Sequence, residues 1–265
     1  MPYYKTTTIA GQTIQVVKHH GKRIIHEGSR NGKSKATPEE MKATNERNRI
    51  RKLTLILNAN FTEGDHWLTL TYPSYYKPPE EVAIKEVNKL LTNLRKEYRK
   101  YGTVLKYVLV KEFTARGVHF HIAIKDVENA KFLKLIKKHW KYGTHDKEMY
   151  SVEFSQLASY IVKEKTKKTG KYKQRYSCSR NMIRPEPETE LISRSNGWRD
   201  IPMPKKGYFI PQATIYNGFD AFGYKLQRYT LVSLEGNVPP PYIVSMEEYQ
   251  KWQKAKEEFE KDKRR

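Results

Sequence analysis

Val118-His119-Phe120-His121-Ile122-Ala123-Ile124 alternates strictly, and its reading decides the fold. Val118, Phe120, Ile122 and Ile124 share one side; His119, His121, Ala123 and Lys125 share the other. One face therefore belongs to a core and the other is open. LKYVLVKEF (105–113) precedes it as a second strand, with Thr114-Ala115-Arg116-Gly117 between them. A four-residue hairpin loop pairs Phe113 with Val118. Glu112 then lies opposite His119, and Val110 opposite His121. Paired residues share a face, so Glu112, His119 and His121 cluster by register alone. Two imidazoles and a carboxylate leave coordination positions free, which suits an ion acting as a Lewis acid on a substrate oxygen. The nitrogen donors favour Mn²⁺; Mg²⁺ fits where a phosphate supplies more oxygen. The plainer alternative is a pair of surface histidines beside a carboxylate.

Outward from this hairpin, WLTLTYP (67–73) is an alternating strand that stops at Pro73. Leu68 and Leu70 face the core, with Thr69 and Thr71 on the other side. Pro79-Glu80-Glu81 opens a helix whose stripe is Val87, Leu90, Leu91, Leu94, Tyr98 and Tyr101, closed by Gly102. NAKFLKLIKKHW (129–140) is helical and MYSVEF (149–154) a strand. Ser155 caps a helix through SQLASYIVKEK. On that helix Tyr160 and Lys163 share a face. A tyrosine hydroxyl beside an ammonium and a polarised phosphate can attack phosphorus, and Lys163 can balance the developing charge. The alternative is that Tyr160, one of 19 tyrosines, only packs beside Leu157 and Ile161.

Towards the N-terminus, residues 3–27 form a hairpin turning at Ala10-Gly11, and GSRNGKSK (28–35) is a basic linker. Thr37, Pro38 and Glu40 have the order of a capping box for a helix running to about Asn58. Gly28 to Ser34 imitates a P-loop but is one residue short between its glycines. His19-His20 reads as tag-like surface, and His139 has no assigned role. Towards the C-terminus, YTLVSL (229–234) is a strand and 246–265 a charged helix, a solvated or assembly face. Helices follow hairpins rather than every strand. The fold class is α+β, a central antiparallel sheet with flanking helices. The domains expected are 1–60, a basic hairpin and helix; 61–240, the sheet domain; and 241–265, the charged helix.

The charge balance names the partner. The 265 residues carry 51 Lys and Arg against 29 Asp and Glu, net +22, and the pI is about 9.8. Such a field suits a polyanion, nucleic acid first and an acidic membrane surface second. Aromatic residues, 12% of the chain, add base-stacking capacity. One cysteine, Cys178, excludes a disulfide scaffold and a multi-cysteine zinc finger. No apolar run is long enough to span a bilayer and MPYYKTTTIAGQ has no signal-peptide segment. The expected location is cytoplasmic, in a bacterial host.

LTLTYP, Glu112 with His119-Phe120-His121, and Tyr160 with Lys163 occur in the order of the three motifs of HUH endonucleases. The chain resembles their single-tyrosine rolling-circle replication initiators (Rep proteins) of phages, plasmids and mobile elements. RYSCSRNMIRP (175–185) also looks like a segment of bacterial and phage members. The resemblance covers about 65–185, with weaker likeness near 224–234. It implies the H-x-H on an inner strand, a divalent metal (Mg²⁺ or Mn²⁺) at Glu112, His119 and His121, and Tyr160 as nucleophile. The tyrosine would cut one strand of single-stranded or hairpin origin DNA, keep the 5′ end and release a 3′-OH for a host polymerase. No ATPase motif is evident, so strand separation would fall to a host helicase. Two departures stand out: Trp67 replaces the leading Phe of the first motif, and only one catalytic-type tyrosine is present. DNA contacts are expected from Thr69, Thr71, Lys165, Lys167, Lys168, Lys171, Lys173, Arg175 and Arg180, with Tyr172, Tyr176 and Trp198 stacking bases. The alternatives are a noncatalytic nucleic-acid-binding protein with an RRM-like sheet, which would show aromatics on the open face, and an HUH transposase, typically shorter. A relaxase is contradicted by the motif order.

Overall fold

The computed structural model describes residues 3–21, 37–114, 117–127, 132–163, 176–192, 199–219, 224–236, 239–240, 243 and 245–264. The basic linker, the middle of the 114–117 loop, residues 129–131, Tyr172, Trp198, and Lys165, Lys167, Lys168, Lys171, Lys173 and Arg175 lie outside them, as does the Glu40 side chain.

The chain begins with β1 (Tyr3–Ala10) and β2 (Thr13–His20), then α1 (Pro38–Asn60), β3 (His66–Thr71), α2 (Glu80–Lys100), β4 (Tyr107–Thr114) and β5 (Gly117–Ile124). α3 (Phe132–His139), β6 (Gly143–Glu148), α4 (Ser155–Lys163), β7 (Tyr176–Cys178) and β8 (Glu188–Ile192) follow. β9 (Tyr208–Phe209), a 3-10 turn (Gln212–Thr214), β10 (Tyr216–Phe219), β11 (Lys225–Ser233) and α5 (Met246–Arg264) complete it. The strands form two antiparallel sheets, ordered β6-β3-β5-β4-β7 and β10-β11-β2-β1-β8 with β9 against β11. The fold is α+β, as expected. No helix among the described residues is long and apolar enough to cross a membrane.

Two compact units divide the chain: 60–150 with 157–183, and 1–59 with 151–156 and 184–265. The first holds the H-x-H on β5, the middle strand of its five-stranded sheet. Val118, Phe120, Ile122 and Ile124 join Leu68 and Leu70 of β3 and Val87, Leu90, Leu91, Leu94 and Tyr98 of α2 in one buried cluster. The apolar face of the alternating strands is thus sealed by the apolar stripe of α2. Tyr98 reaches through the core to donate its hydroxyl to the Lys125 carbonyl at 2.6 Å, so its polar end is satisfied. Tyr101, expected on that stripe, is exposed, because α2 ends one residue before it and Gly102 turns the chain at φ 68°.

α2 and α3 are tied by charge. Glu97 accepts from Lys138 at 2.8 Å, Lys100 at 3.0 Å and His139 at 3.1 Å. Those partners, Lys138 first, hold its carboxyl down to about 2 from an ordinary 4.5. A depressed carboxyl stabilises the fold fully above its unfolded value and ceases to do so as pH falls through the folded one. Glu97→Gln is expected to lower the unfolding midpoint at pH 6. The gap to the parent should narrow below about pH 4.5 and close near pH 2 in acid titrations followed by circular dichroism. His139 thereby gains the role that its sequence context did not suggest.

MYSVEF is not a strand. The partner of β3 is instead GTHDKE, an all-polar run, and Met149, Val152 and Phe154 are buried in the connection that follows. An edge strand needs no apolar face, so alternation missed it, while the β-prone run fills core as loop. Glu153 bonds the backbone N–H and hydroxyl of Ser155. The acceptor at the start of α4 is therefore the carboxylate two residues earlier, not the Ser155 side chain.

The second unit carries the N-terminal hairpin. Ala10 pairs with Thr13, and Gly11 turns at φ 58°. A Cβ on Gly11 would run into the backbone carbonyl of Asn58 on α1. Both the left-handed backbone and this approach demand glycine. Gly11→Ala is expected to destabilise by ~2 kcal/mol or more, read as a lower urea midpoint with unchanged m. His19 and His20 are not tag-like: His19 bonds Thr6 at 3.1 Å and the His20 ring lies 3.5 Å from that of Tyr3.

Candidate active site on the five-stranded sheet

The register derived from the hairpin is the one observed. Phe113 pairs with Val118, Glu112 with His119 and Val110 with His121. On the other flank of β5, Thr69 of β3 pairs with His121. Because paired residues share a face, Thr69, Glu112, His119 and His121 stand on one side of the sheet, away from α2. The site needs no loop to gather it. It follows from pleat and pairing alone.

His121 is the centre. Its Nε2 lies 3.1 Å from Glu112 Oε2 and its Nδ1 3.0 Å from Thr69 Oγ1. Each ring nitrogen has a partner, which fixes the orientation of the imidazole. The indole of Trp67 lies parallel to it, 5.6 Å between centroids at 3°. His121 is consequently only 9% exposed. The face expected to be open is roofed at this point, because Trp67, opposite Ala123, reaches diagonally across to the neighbouring strand.

Tyr160 of α4 presents its ring edge-on to both aromatic partners, 6.2 Å from His121 and 6.3 Å from Trp67. It remains 47% exposed, so solvent and a substrate can reach it. The helix buries Ala158, Ile161 and Val162 and turns Tyr160 and Lys163 outward together. Lys163 is exposed.

Glu112, His119 and His121 are the side chains here that could hold a divalent cation. Two imidazoles and a carboxylate occupy adjacent cross-strand positions, and a hydroxyl behind His121 Nδ1 leaves Nε2 as the ligating atom. As folded, Glu112 and His121 bond each other, and among the described residues no group of three His, Cys, Asp or Glu side chains is gathered to hold an ion. Completing the set therefore calls on His119, which stands directly across from Glu112.

Trp67, His145 and Tyr176 also join this face, and of these only His145 was unannounced by the sequence. The pairings Thr69 with His145, Thr69 with His121, Val110 with His121 and Val110 with Tyr176 place them in or beside one row across all five strands. His145 escaped notice because it sits in the polar edge strand. For Trp67 the signal was the departure from Phe; for Tyr176 it was only a place among stacking candidates. Thr71 stands at the end of β3 opposite Gly143, and Arg180 is exposed beyond β7. The next residue of the motif, Tyr72, donates its hydroxyl to Glu86 of α2 at 2.7 Å, and Tyr142 donates to the same carboxylate at 2.9 Å. Burial and then that bond push the Tyr72 hydroxyl well above its ordinary range. The tyrosine of LTLTYP is thus a fastener between strand and helix.

An antiparallel sheet thus carries a histidine–glutamate pair on its middle strands, with an exposed tyrosine on a helix beside it. Residues 65–169 match the family model for Replication-associated protein ORF2/G2P. This stretch is thus similar to replication-associated proteins of that family, which is consistent with a rolling-circle replication initiator. Neither the curated proteins nor the solved structures give a match to the chain.

Proposed function

We propose that the protein initiates rolling-circle replication by nicking one strand of origin DNA through tyrosyl transesterification. The observation that carries this reading is the placement of Tyr160 edge-on to His121 while His121 is bonded to Glu112. Nucleophile and ligand pair meet at one point of a sheet in a strongly basic chain.

The Tyr160 oxygen attacks the phosphorus of a DNA phosphodiester and loses its proton. The bond from phosphorus to the 3′ oxygen breaks, and that oxygen takes up a proton to become a free 3′-OH. The 5′ end stays on the protein as phosphotyrosine. Glu112, His119 and His121 would hold a divalent ion, Mg²⁺ or Mn²⁺, which supplies Lewis-acid polarisation of the phosphate oxygens. Thr69 fixes the His121 ring so that Nε2 faces Glu112. Trp67 excludes water from the buried side of that ring. Lys163, on the Tyr160 face of α4, balances negative charge as it develops on the phosphate. Reversal of the same steps reseals the strand.

An RRM-like binding module remains the reading from another class. Trp67 on the sheet face favours it, since an aromatic ring there can stack a base. Incubating the protein with labelled single-stranded origin DNA and Mn²⁺ or Mg²⁺ separates the two. A covalent adduct stable to denaturation supports the nickase; tight binding without an adduct supports the module.

A further inference from the structure

At the far end of β4 from Glu112, roughly 17 Å along the strand, the same unit has a half-open cavity of about 530 Å³. Arg95 and Arg99, one turn apart on α2, and Arg180 beyond β7 all line it, and no acidic residue does. Among the described residues none of the three guanidinium groups has a carboxylate partner. Three like charges gathered without a counter-ion make a locus of positive potential that attracts an anion.

The walls are fixed. Arg95 donates to the Tyr107 hydroxyl at 3.0 Å and lies over that ring. The turn after β7 is pinned to the start of β4: the Ser179 N–H donates to the Tyr107 carbonyl at 3.0 Å, and the Tyr107 N–H to Ser179 Oγ at 3.2 Å. Asn181 donates to the Leu105 carbonyl at 3.2 Å. This turn is the centre of RYSCSRNMIRP, a segment of which only Tyr176 stands on the candidate active-site face. Planar forks on a rigid rim match the paired oxygens of a phosphodiester better than a single compact anion.

We propose that this arginine cavity is a second DNA-binding site, one that grips backbone phosphates of the single strand away from the cleavage point. It rests on the reading of the protein as a DNA-binding initiator but not on its nicking chemistry. Its ligand is phosphodiester backbone, whatever the base sequence.

The test uses the full chain carrying Tyr160→Phe, so that no covalent step intervenes, and fluorescein-labelled dT20 followed by anisotropy across a salt series. Arg95→Gln, Arg99→Gln and Arg180→Gln combined should weaken binding roughly 30-fold at about 100 mM salt. They should also flatten the log–log salt slope by about 2, as expected for three lost phosphate contacts on a single strand. A charge-matched control, Lys251→Gln, Lys254→Gln and Lys261→Gln on α5, should leave the slope within about 0.5 of the parent. An arginine variant with the control's slope, while circular dichroism shows it folded, overturns the proposal. Should the triple variant misfold, Arg99→Gln alone, an exposed position, must flatten the slope by about 0.7. Inorganic phosphate titrated into parent and variant is the remaining arm. Tight phosphate binding lost in the variant with an unchanged dT20 slope assigns the cavity to a free anion and overturns the proposal. An adduct at Tyr160 with an unaltered salt slope sinks only the cavity; the expected slope without any adduct sinks only the nicking.

Discussion

Tyr160→Phe leaves no covalent protein–DNA adduct after incubation with origin single strand and Mn²⁺, while the parent forms one that survives denaturing electrophoresis. The change deletes one oxygen and keeps the ring, so the edge-on contacts to His121 and Trp67 persist. DNA affinity should stay within about 2-fold, because a hydroxyl is removed from an exposed position rather than a phosphate-binding cation. Folding should be equally unaffected, since an exposed substitution away from the core rarely shifts stability by more than about 0.5 kcal/mol. The result therefore separates chemistry from binding. An undiminished adduct in the variant moves the nucleophile to another of the chain's tyrosines. Tyr150, exposed as well, is the first to replace in that event.

His121→Ala should reduce adduct formation on the order of 10³-fold or more while DNA affinity stays within about 3-fold. The imidazole is the one group in contact with both Glu112 and Thr69, so its loss removes the nitrogen donor and leaves the carboxylate without its partner. Thr69→Val tests the same atom from behind. It keeps shape but removes the hydroxyl facing Nδ1, and a loss of roughly 10- to 100-fold is expected of such an outer partner. Both variants need a calorimetric check, because His121 is buried. Equal loss of affinity and cleavage, with a lowered Tm, would make His121 a structural residue and remove the metal site from the proposal.

Much of this site is legible in the chain because sheet geometry is arithmetic. Once Thr114–Gly117 is read as a four-residue loop, the opposition of Glu112 to His119 follows without further information, and the observed register agrees. Which strand lies beyond His121 does not follow. That Thr69 pairs with it depends on a connection through α2, and long-range pairing leaves no local signature. The same holds for His145. Its strand carries no hydrophobic period because one margin of a sheet can be wet on both faces, whereas MYSVEF had the composition of a strand and became buried loop. The Glu97 cluster was invisible for a related reason: Lys138 and His139 meet it only after α2 and α3 pack. Charge, by contrast, is additive along a chain, so composition alone suggests a polyanionic partner while leaving the contact points open.

β6 has a consequence of its own. Every one of its side chains from Thr144 to Glu148 can bind water or carries charge. This border offers no greasy ribbon on which a neighbouring polypeptide can template itself. Copies of the chain crowded together can thus stay separate along this margin instead of zipping into fibrils.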